Sequence, residues 1–275
     1  MFPSDCRLCG EPLTNISRLP VCRKCLCAIH RIDGGVCSIC GERLFSVYAA
    51  TADDDIGQAL CGLCRRVEQP FVRAAAYGSY DGGLRELIHL LKYASVRPAA
   101  NVLGRMLAEA IAELEGDFAD PSIIVVPVPL HRAKLRQRQF NHAELIARAA
   151  TKLCAKTGRL QLSPGVLERR RETPSQTGLT SHQRRENVRG AFGVAQREIV
   201  RGREVLVVDD VYTTGATVSE CARVLRRAGA TKVWVATVAR TLKAQVQHVE
   251  IQLPGDPDES AEEGVQHFTA RAAGR

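Results

Sequence analysis

The segment Val205-Leu-Val-Val-Asp-Asp-Val-Tyr-Thr-Thr-Gly-Ala-Thr217 constrains this chain more than any other. Residues 205–208 are apolar and read as a buried strand, with Asp209 and Asp210 at its carboxyl end. The periodicity predicts a helix over 217–228 and a further strand over 232–238. Strand, helix and strand with short links imply a parallel sheet with helices on its faces. In such sheets ligands bind outside the carboxyl ends of the strands. There Thr213, Thr214, Gly215, Ala216 and Thr217 offer small side chains, hydroxyls and helix-start N–H groups, which suit a phosphate dianion. Gly215 lets the backbone come close to a ligand. The two acids would repel phosphate alone. They fit a ligand with hydroxyl donors beside the phosphate, as in ribose 5-phosphate.

Two other folds share part of this pattern. Response-regulator receivers place Asp-Asp after an apolar strand, but they need an acceptor Asp at a later strand end. The only later aspartates here are Asp256 and Asp258, in an acidic stretch. A nucleotide P-loop needs G-x-x-x-x-G-K-[ST], and no such string occurs.

The beginning of the chain has a different texture. Of eleven cysteines, eight form Cys-x-x-Cys pairs within residues 1–64: Cys6/Cys9, Cys22/Cys25, Cys37/Cys40 and Cys61/Cys64. The first residues, MFPSDCRLCG, lack a basic start followed by an apolar run, so a cytoplasmic location is expected. Cysteine pairs in that setting point to structural zinc rather than disulfides. Cys6-Arg-Leu-Cys9-Gly-Glu returns as Cys37-Ser-Ile-Cys40-Gly-Glu, so each copy is expected to open its own four-cysteine site. That pairs Cys6/Cys9 with Cys22/Cys25, and Cys37/Cys40 with Cys61/Cys64; an interleaved cross-brace is the alternative. Redox dithiols would call for a thioredoxin-like βαβ unit, which residues 1–69 do not contain. Cys27 is near enough to compete as a ligand, and Cys154 and Cys221 read as helical core residues.

Beyond Pro70 helices and strands alternate. Leu84, Leu87, Ile88 and Leu91 share one helical face; Val102, Leu103, Met106, Leu107, Ala110, Ile111 and Leu114 share another. Residues 122–128 read as a buried strand, and 140–156 as a helix with Leu145, Ile146, Ala149 and Leu153 inward. Residues 168–190 read as a long basic loop with one helical stretch near its end. The formal charge of +8 is concentrated there and in 131–138, whereas 254–264 is acidic. Basic clusters suit nucleic acid or an anionic small ligand, and are often only solvated surface. The resulting division is a cysteine module over 1–69, an α/β domain over 70–242 and a tail over 243–275.

The 205–217 segment resembles the phosphoribosyl-pyrophosphate (PRPP) motif of type I phosphoribosyltransferases: four apolar residues, two acids, two variable residues, then Thr-Thr/Gly-Gly-x-Thr/Ser. Three further blocks are similar to the competence protein F (ComF) family: the double zinc ribbon, residues 125–146, and residues 176–192. Gln139 stands where that family usually has Gly, and His142 where it usually has Gln. The resemblance implies a type I phosphoribosyltransferase fold behind a zinc module. It also implies a turn at Pro127, Val128, Pro129, Leu130 and His131 that touches pyrophosphate, and a loop over 169–187 that closes on the ligand. Arg169, Gln176, Arg184 and Arg185 are its candidate contacts. Guanidinium groups and Mg²⁺ would stabilise the charge that develops on a departing pyrophosphate. The resemblance further implies a role in DNA uptake, with single-stranded DNA, a helicase and a strand-loading protein as partners. Three functions are open on sequence: a phosphoribosyltransferase, a PRPP or nucleotide sensor, and a zinc-ribbon nucleic-acid adaptor. Residues 71–80 are expected to contribute to a hood over an acceptor base.

Overall fold

A computed structural model describes residues 5–14, 17–44, 59–173 and 180–243, which fall within one unit ending at Lys243. The tail beyond it lies outside the described residues.

Among its described residues the cysteine module carries the short helix α1 (Arg23–Cys27). The α/β part follows as β1 (Ala74–Ser79), α2 (Gly82–Lys92), α3 (Ala99–Ala112), β2 (Ile123–Pro127), α4 (Arg132–Arg138) and α5 (His142–Leu153). Then come β3 (Leu160–Leu162), β4 (Leu167–Arg169), α6 (Ser181–Val188), β5 (Phe192–Val194), α7 (Arg197–Val200), β6 (Glu204–Tyr212), α8 (Ala216–Arg227) and β7 (Lys232–Arg240). Five strands form a parallel sheet in the order β1-β7-β6-β2-β3, and β4 pairs with β5 in a separate antiparallel ribbon. This is the parallel-sheet, phosphoribosyltransferase-type architecture expected from the sequence.

β6 lies between β2 and β7 and is longer than its apolar run, continuing through both acids to Tyr212. Its side chains alternate across the sheet. Leu206 and Val208 join one core with α2, α3 and α5, while Val205 and Val207 join the other with α8. The apolar faces predicted for α2 and α3 are buried as expected. That of α5 is rotated: Ala143, Ile146, Ala147 and Ala150 are buried, and Leu153 is 53% exposed. The cause is a close helix crossing. A Cβ on Gly104 of α3 would lie 2.4 Å from Ala149 Cβ, so small residues rather than leucines face α3. Cys221 is fully buried in α8, but Cys154 is only partly buried, in a 3₁₀ turn after α5, and is not a core residue.

Residues 74–79 are the edge strand β1, and of the stretch 71–80 Tyr80 reaches the candidate cavity. The cysteine module covers the free side of this edge: Ala74 N–H donates to Ile39 O (2.7 Å), and Ile32 N–H donates to Tyr77 O (2.8 Å). An open strand edge is a template for unwanted pairing, and the module closes it.

The residues 132–138, read as a charge cluster, form α4, which ends on Gln139 at φ 62°. This left-handed position explains the family's glycine there, because a Cβ is disfavoured. Gln139→Gly is therefore expected to stabilise the protein by about 0.5–1 kcal/mol, glycine's extra freedom in the unfolded chain offsetting part of the gain. A urea unfolding midpoint that fell or stayed put would contradict this.

Candidate functional site

The carboxyl ends of β6 and β2, the end of α2 and the start of α5 enclose a cavity of about 750 Å³. Asp209, Asp210, Thr213 and Thr217 line it, as do Val128, Pro129 and Leu130 from the turn after β2. Arg169, at the end of β4, and Arg184, from α6, line it as well. The expected phosphate, ribose and pyrophosphate contacts are thus brought to one place.

Some expected residues lie elsewhere. Pro127 is buried within β2. His131 caps α4, its Nδ1 accepting from Ala133 N–H at 3.4 Å, and stands 3.9 Å from Glu172. Arg185 lines a second cavity of about 760 Å³ together with Thr214 and Ala216. Gln176 lies outside the described residues. α6 starts with a reciprocal cap between Thr180 and Gln183, which fixes the end of the predicted closing loop.

The loop after β6 turns through Gly215 at φ 75°. A Cβ there would also lie 2.2 Å from Tyr212 Oη, so the glycine makes room for Tyr212 beneath the loop. That is a different neighbour from the ligand expected on sequence grounds. Thr214 Oγ1 is buried and has no hydrogen-bond partner among the described residues. A buried hydroxyl in that state has unused capacity for an acceptor.

Two residues that sequence reasoning did not select complete the site. Lys92, the last residue of α2, places Nζ 2.5 Å from Asp210 Oδ2; the Asp210 side chain is buried and that of Lys92 is 16% exposed. Burial works against the Lys92 ammonium, but Asp210 and then Asp209 outweigh it and hold its pKa above the ordinary lysine value. His142 Nε2 lies 3.3 Å from the same Asp210 oxygen, and Nδ1 lies 3.3 Å from Arg138 Nη1. Burial pushes His142 down to about 4, reinforced by Lys92 and Arg138 and only partly opposed by Asp210. The ring is therefore neutral at pH 7. Since Arg138 can only donate, Nδ1 accepts and the ring proton sits on Nε2, the nitrogen that faces Asp210 without forming a hydrogen bond to it. Burial would raise Asp210, but Lys92 and His142 prevail and lower it. Asp209 is raised, first by burial and then by the charge of Asp210. The site thus holds one firmly ionised carboxylate and one that resists ionisation.

The cavity's lining carries Arg85, Lys92, Lys134, Arg138, Arg169 and Arg184 against two carboxylates. Its rim beside α2 is aromatic, with Tyr80 before the helix and Tyr93 after it: Tyr80 Oη is 3.1 Å from His89 Nε2, and Arg138 lies 5.2 Å over the Tyr93 ring.

The cysteines gather as expected into Cys6, Cys9, Cys22 and Cys25, and into Cys37, Cys40, Cys61 and Cys64, with sulfurs within 4.8 Å in each set. Cys27 is exposed and outside both. The Cys-x-x-Cys-Gly-Glu repeat is a repeated knuckle: Gly10 N–H donates to Cys6 O (2.8 Å) and Gly41 N–H to Cys37 O (2.9 Å). Both glycines have positive φ, 78° and 70°. Sulfur separations of 3.9 Å (Cys6–Cys25), 3.8 Å (Cys9–Cys22) and 3.6 Å (Cys40–Cys61) decide what the clusters suit. A zinc tetrahedron with bonds of about 2.3 Å has edges of about 3.8 Å, whereas disulfide sulfurs are about 2.0 Å apart. Both clusters fit zinc.

A parallel sheet with an acid pair and a threonine-rich loop at the end of its central strand defines a phosphoribosyltransferase-type protein. Accordingly, a family model described as a phosphoribosyl transferase domain matches residues 144–268. The chain is 31% identical over 241 residues to the DNA utilization protein YhgH of Escherichia coli O157:H7, covering 87% of this chain and 98% of that protein. It is 28% identical over 225 residues to competence protein F of Haemophilus influenzae, covering 80% and 96%. It is 24% identical over 209 residues to competence protein ComFC of Bacillus subtilis, covering 76% and 79%. The chain belongs to this YhgH/ComF family. No described helix is long and apolar enough to cross a membrane.

Proposed function

We propose that the protein binds PRPP and transfers its phosphoribosyl group to an acceptor in the handling of imported DNA. The observation that carries this reading is the cavity in which six cationic side chains surround Asp209, Asp210, Thr213 and Thr217. The loop N–H groups and threonine hydroxyls hold the 5-phosphate, and the two acids accept from the ribose hydroxyls. In the ligand-free protein Lys92 occupies Asp210; with ligand bound, it is placed to face the pyrophosphate together with Arg169 and Arg184. Neutral His142 packs its Nε2 against Asp210 at 3.3 Å and so limits the space open to that carboxylate. Mg²⁺, arriving on the pyrophosphate, supplies further charge to the leaving group. The cysteine clusters hold two structural zinc ions. The DNA context rests on the names of the relatives, which makes single-stranded DNA and the proteins that load and unwind it the partners to examine.

Calorimetry with Mg-PRPP, alongside pyrophosphate release across a panel of bases, nucleotides and single-stranded DNA, tests the reading. Thr214→Val, which keeps shape and removes the buried hydroxyl, is expected to weaken Mg-PRPP by about ten- to a hundredfold, roughly 1.5–3 kcal/mol. Equal affinity in both proteins would remove the loop from the site. Binding without pyrophosphate release on any acceptor would turn the reading to a sensor.

A further inference from the structure

We infer that Arg240 is a positioning residue, a strut that ties the second cysteine cluster to the phosphate loop, so that metal in that cluster and ligand on the loop stabilise each other. The inference rests on the reading of 213–217 as a phosphate loop.

Arg240 ends β7, opposite Tyr212 at the end of β6, and is only 4% exposed. Its Nη2 donates in two directions, to Cys40 Sγ at 3.6 Å and to Glu42 Oε2 at 3.0 Å. Both acceptors belong to one knuckle, so the guanidinium reads the position of a metal-ligand sulfur and the turn behind it. Four thiolates on one divalent cation leave a net negative cluster, which a buried cation beside it offsets. The other Glu42 oxygen accepts from Lys243 N–H at 3.1 Å, which fixes the chain where it leaves β7.

The flat face of Arg240 lies 4.2 Å from the Tyr212 ring centroid. Nε and Nη1 are buried without hydrogen-bond partners, so this stacking is the guanidinium's main contact on that side. Tyr212 is itself 4% exposed, and Phe71 meets its ring edge-on at 6.5 Å. Its hydroxyl occupies the space where a Cβ on Gly215 would stand. The route from metal-site sulfur to phosphate loop is therefore Cys40, Arg240, Tyr212, Gly215, with each step a direct contact between buried residues. A displaced Arg240 lets the Tyr212 ring tilt, and the loop above loses its floor. Coupling of this kind is reciprocal.

The test uses the full chain with its metal content measured, as wild type, Arg240→Lys and Tyr212→Leu. Amide exchange is followed at 213–217 without ligand, with 123–127 of β2 as internal reference, and Mg-PRPP affinity is measured separately. In both variants exchange at 213–217 should be about tenfold faster while the β2 amides keep their rate, and Mg-PRPP should bind about tenfold more weakly. In cobalt-substituted wild type, Mg-PRPP should shift the ligand-field bands, and Arg240→Lys should abolish the shift. If Arg240→Lys loses metal, Tyr212→Leu decides, since it leaves in place the guanidinium that bonds Cys40 and Glu42. Unchanged exchange at 213–217 in Tyr212→Leu overturns the strut. A wild type that ignores Mg-PRPP refutes the ligand reading instead, and the exchange comparison still judges the strut.

Discussion

Asp210→Asn is expected to destabilise the folded protein by about 3–5 kcal/mol, whereas Asp209→Asn should leave it as stable or make it more so. The asymmetry follows from the neighbours. Asp210, 5% exposed, forms an ion pair with Lys92, 16% exposed, and His142 Nε2 lies 3.3 Å from the same carboxylate oxygen. Removing the charge strands the Lys92 ammonium in the interior. Asp209 has the opposite character, because burial and the adjacent Asp210 raise its pKa in the folded state. A carboxyl raised on folding lowers stability as pH climbs from its unfolded value, about 3.9, towards the folded one. Asparagine removes that loss. Both substitutions should weaken Mg-PRPP, so stability separates the two acids where binding does not. Urea unfolding of the two variants at pH 7 measures the contrast, and equal midpoints would mean that Lys92 has no stake in Asp210.

Metal removal should have the largest effect on the fold. Elemental analysis is expected to find about two zinc ions per chain, and Cys22→Ser and Cys61→Ser to leave about one each. Apparent zinc binding of roughly 10 kcal/mol per site exceeds what a segment of this size gains from its core. Chelation should therefore unfold residues 1–69. It should also expose β1, whose free edge the module covers through Ala74 and Ile32. Limited proteolysis and exchange at 74–79 would register both changes. A metal-free chain that remained folded and protected would overturn the assignment of the clusters.

What the sequence made legible was local chemistry. The threonine-rich loop and the cysteine knuckles each concentrate their signal in a few adjacent residues, and the two four-cysteine groups form as that signal implied. Lys92 and Arg240 were not legible because their partners are distant in the chain. Lys92 sits in the last turn of an amphipathic helix, where a solvated cation is the ordinary expectation. Arg240 closes an apolar strand, and nothing in 205–240 points back to Cys40 or Glu42. The edge strand β1 escaped notice since Ala-Ala-Ala-Tyr-Gly-Ser lacks the β-branched residues that mark strands. The rotated face of α5 has a related cause: its leucines advertised a core that Gly104 reserved for alanines.

The position of β1 also sets an order of events during synthesis. β1 is the first strand of the sheet to be made and pairs only with β7, the last. At ordinary translation rates it waits about ten seconds or more for that partner. Throughout that interval the cysteine module is already outside the ribosome and able to take up metal. Its bond from Ala74 to Ile39 covers one edge of the strand, so a cysteine module that folds early leaves the waiting strand with less edge open to unwanted pairing.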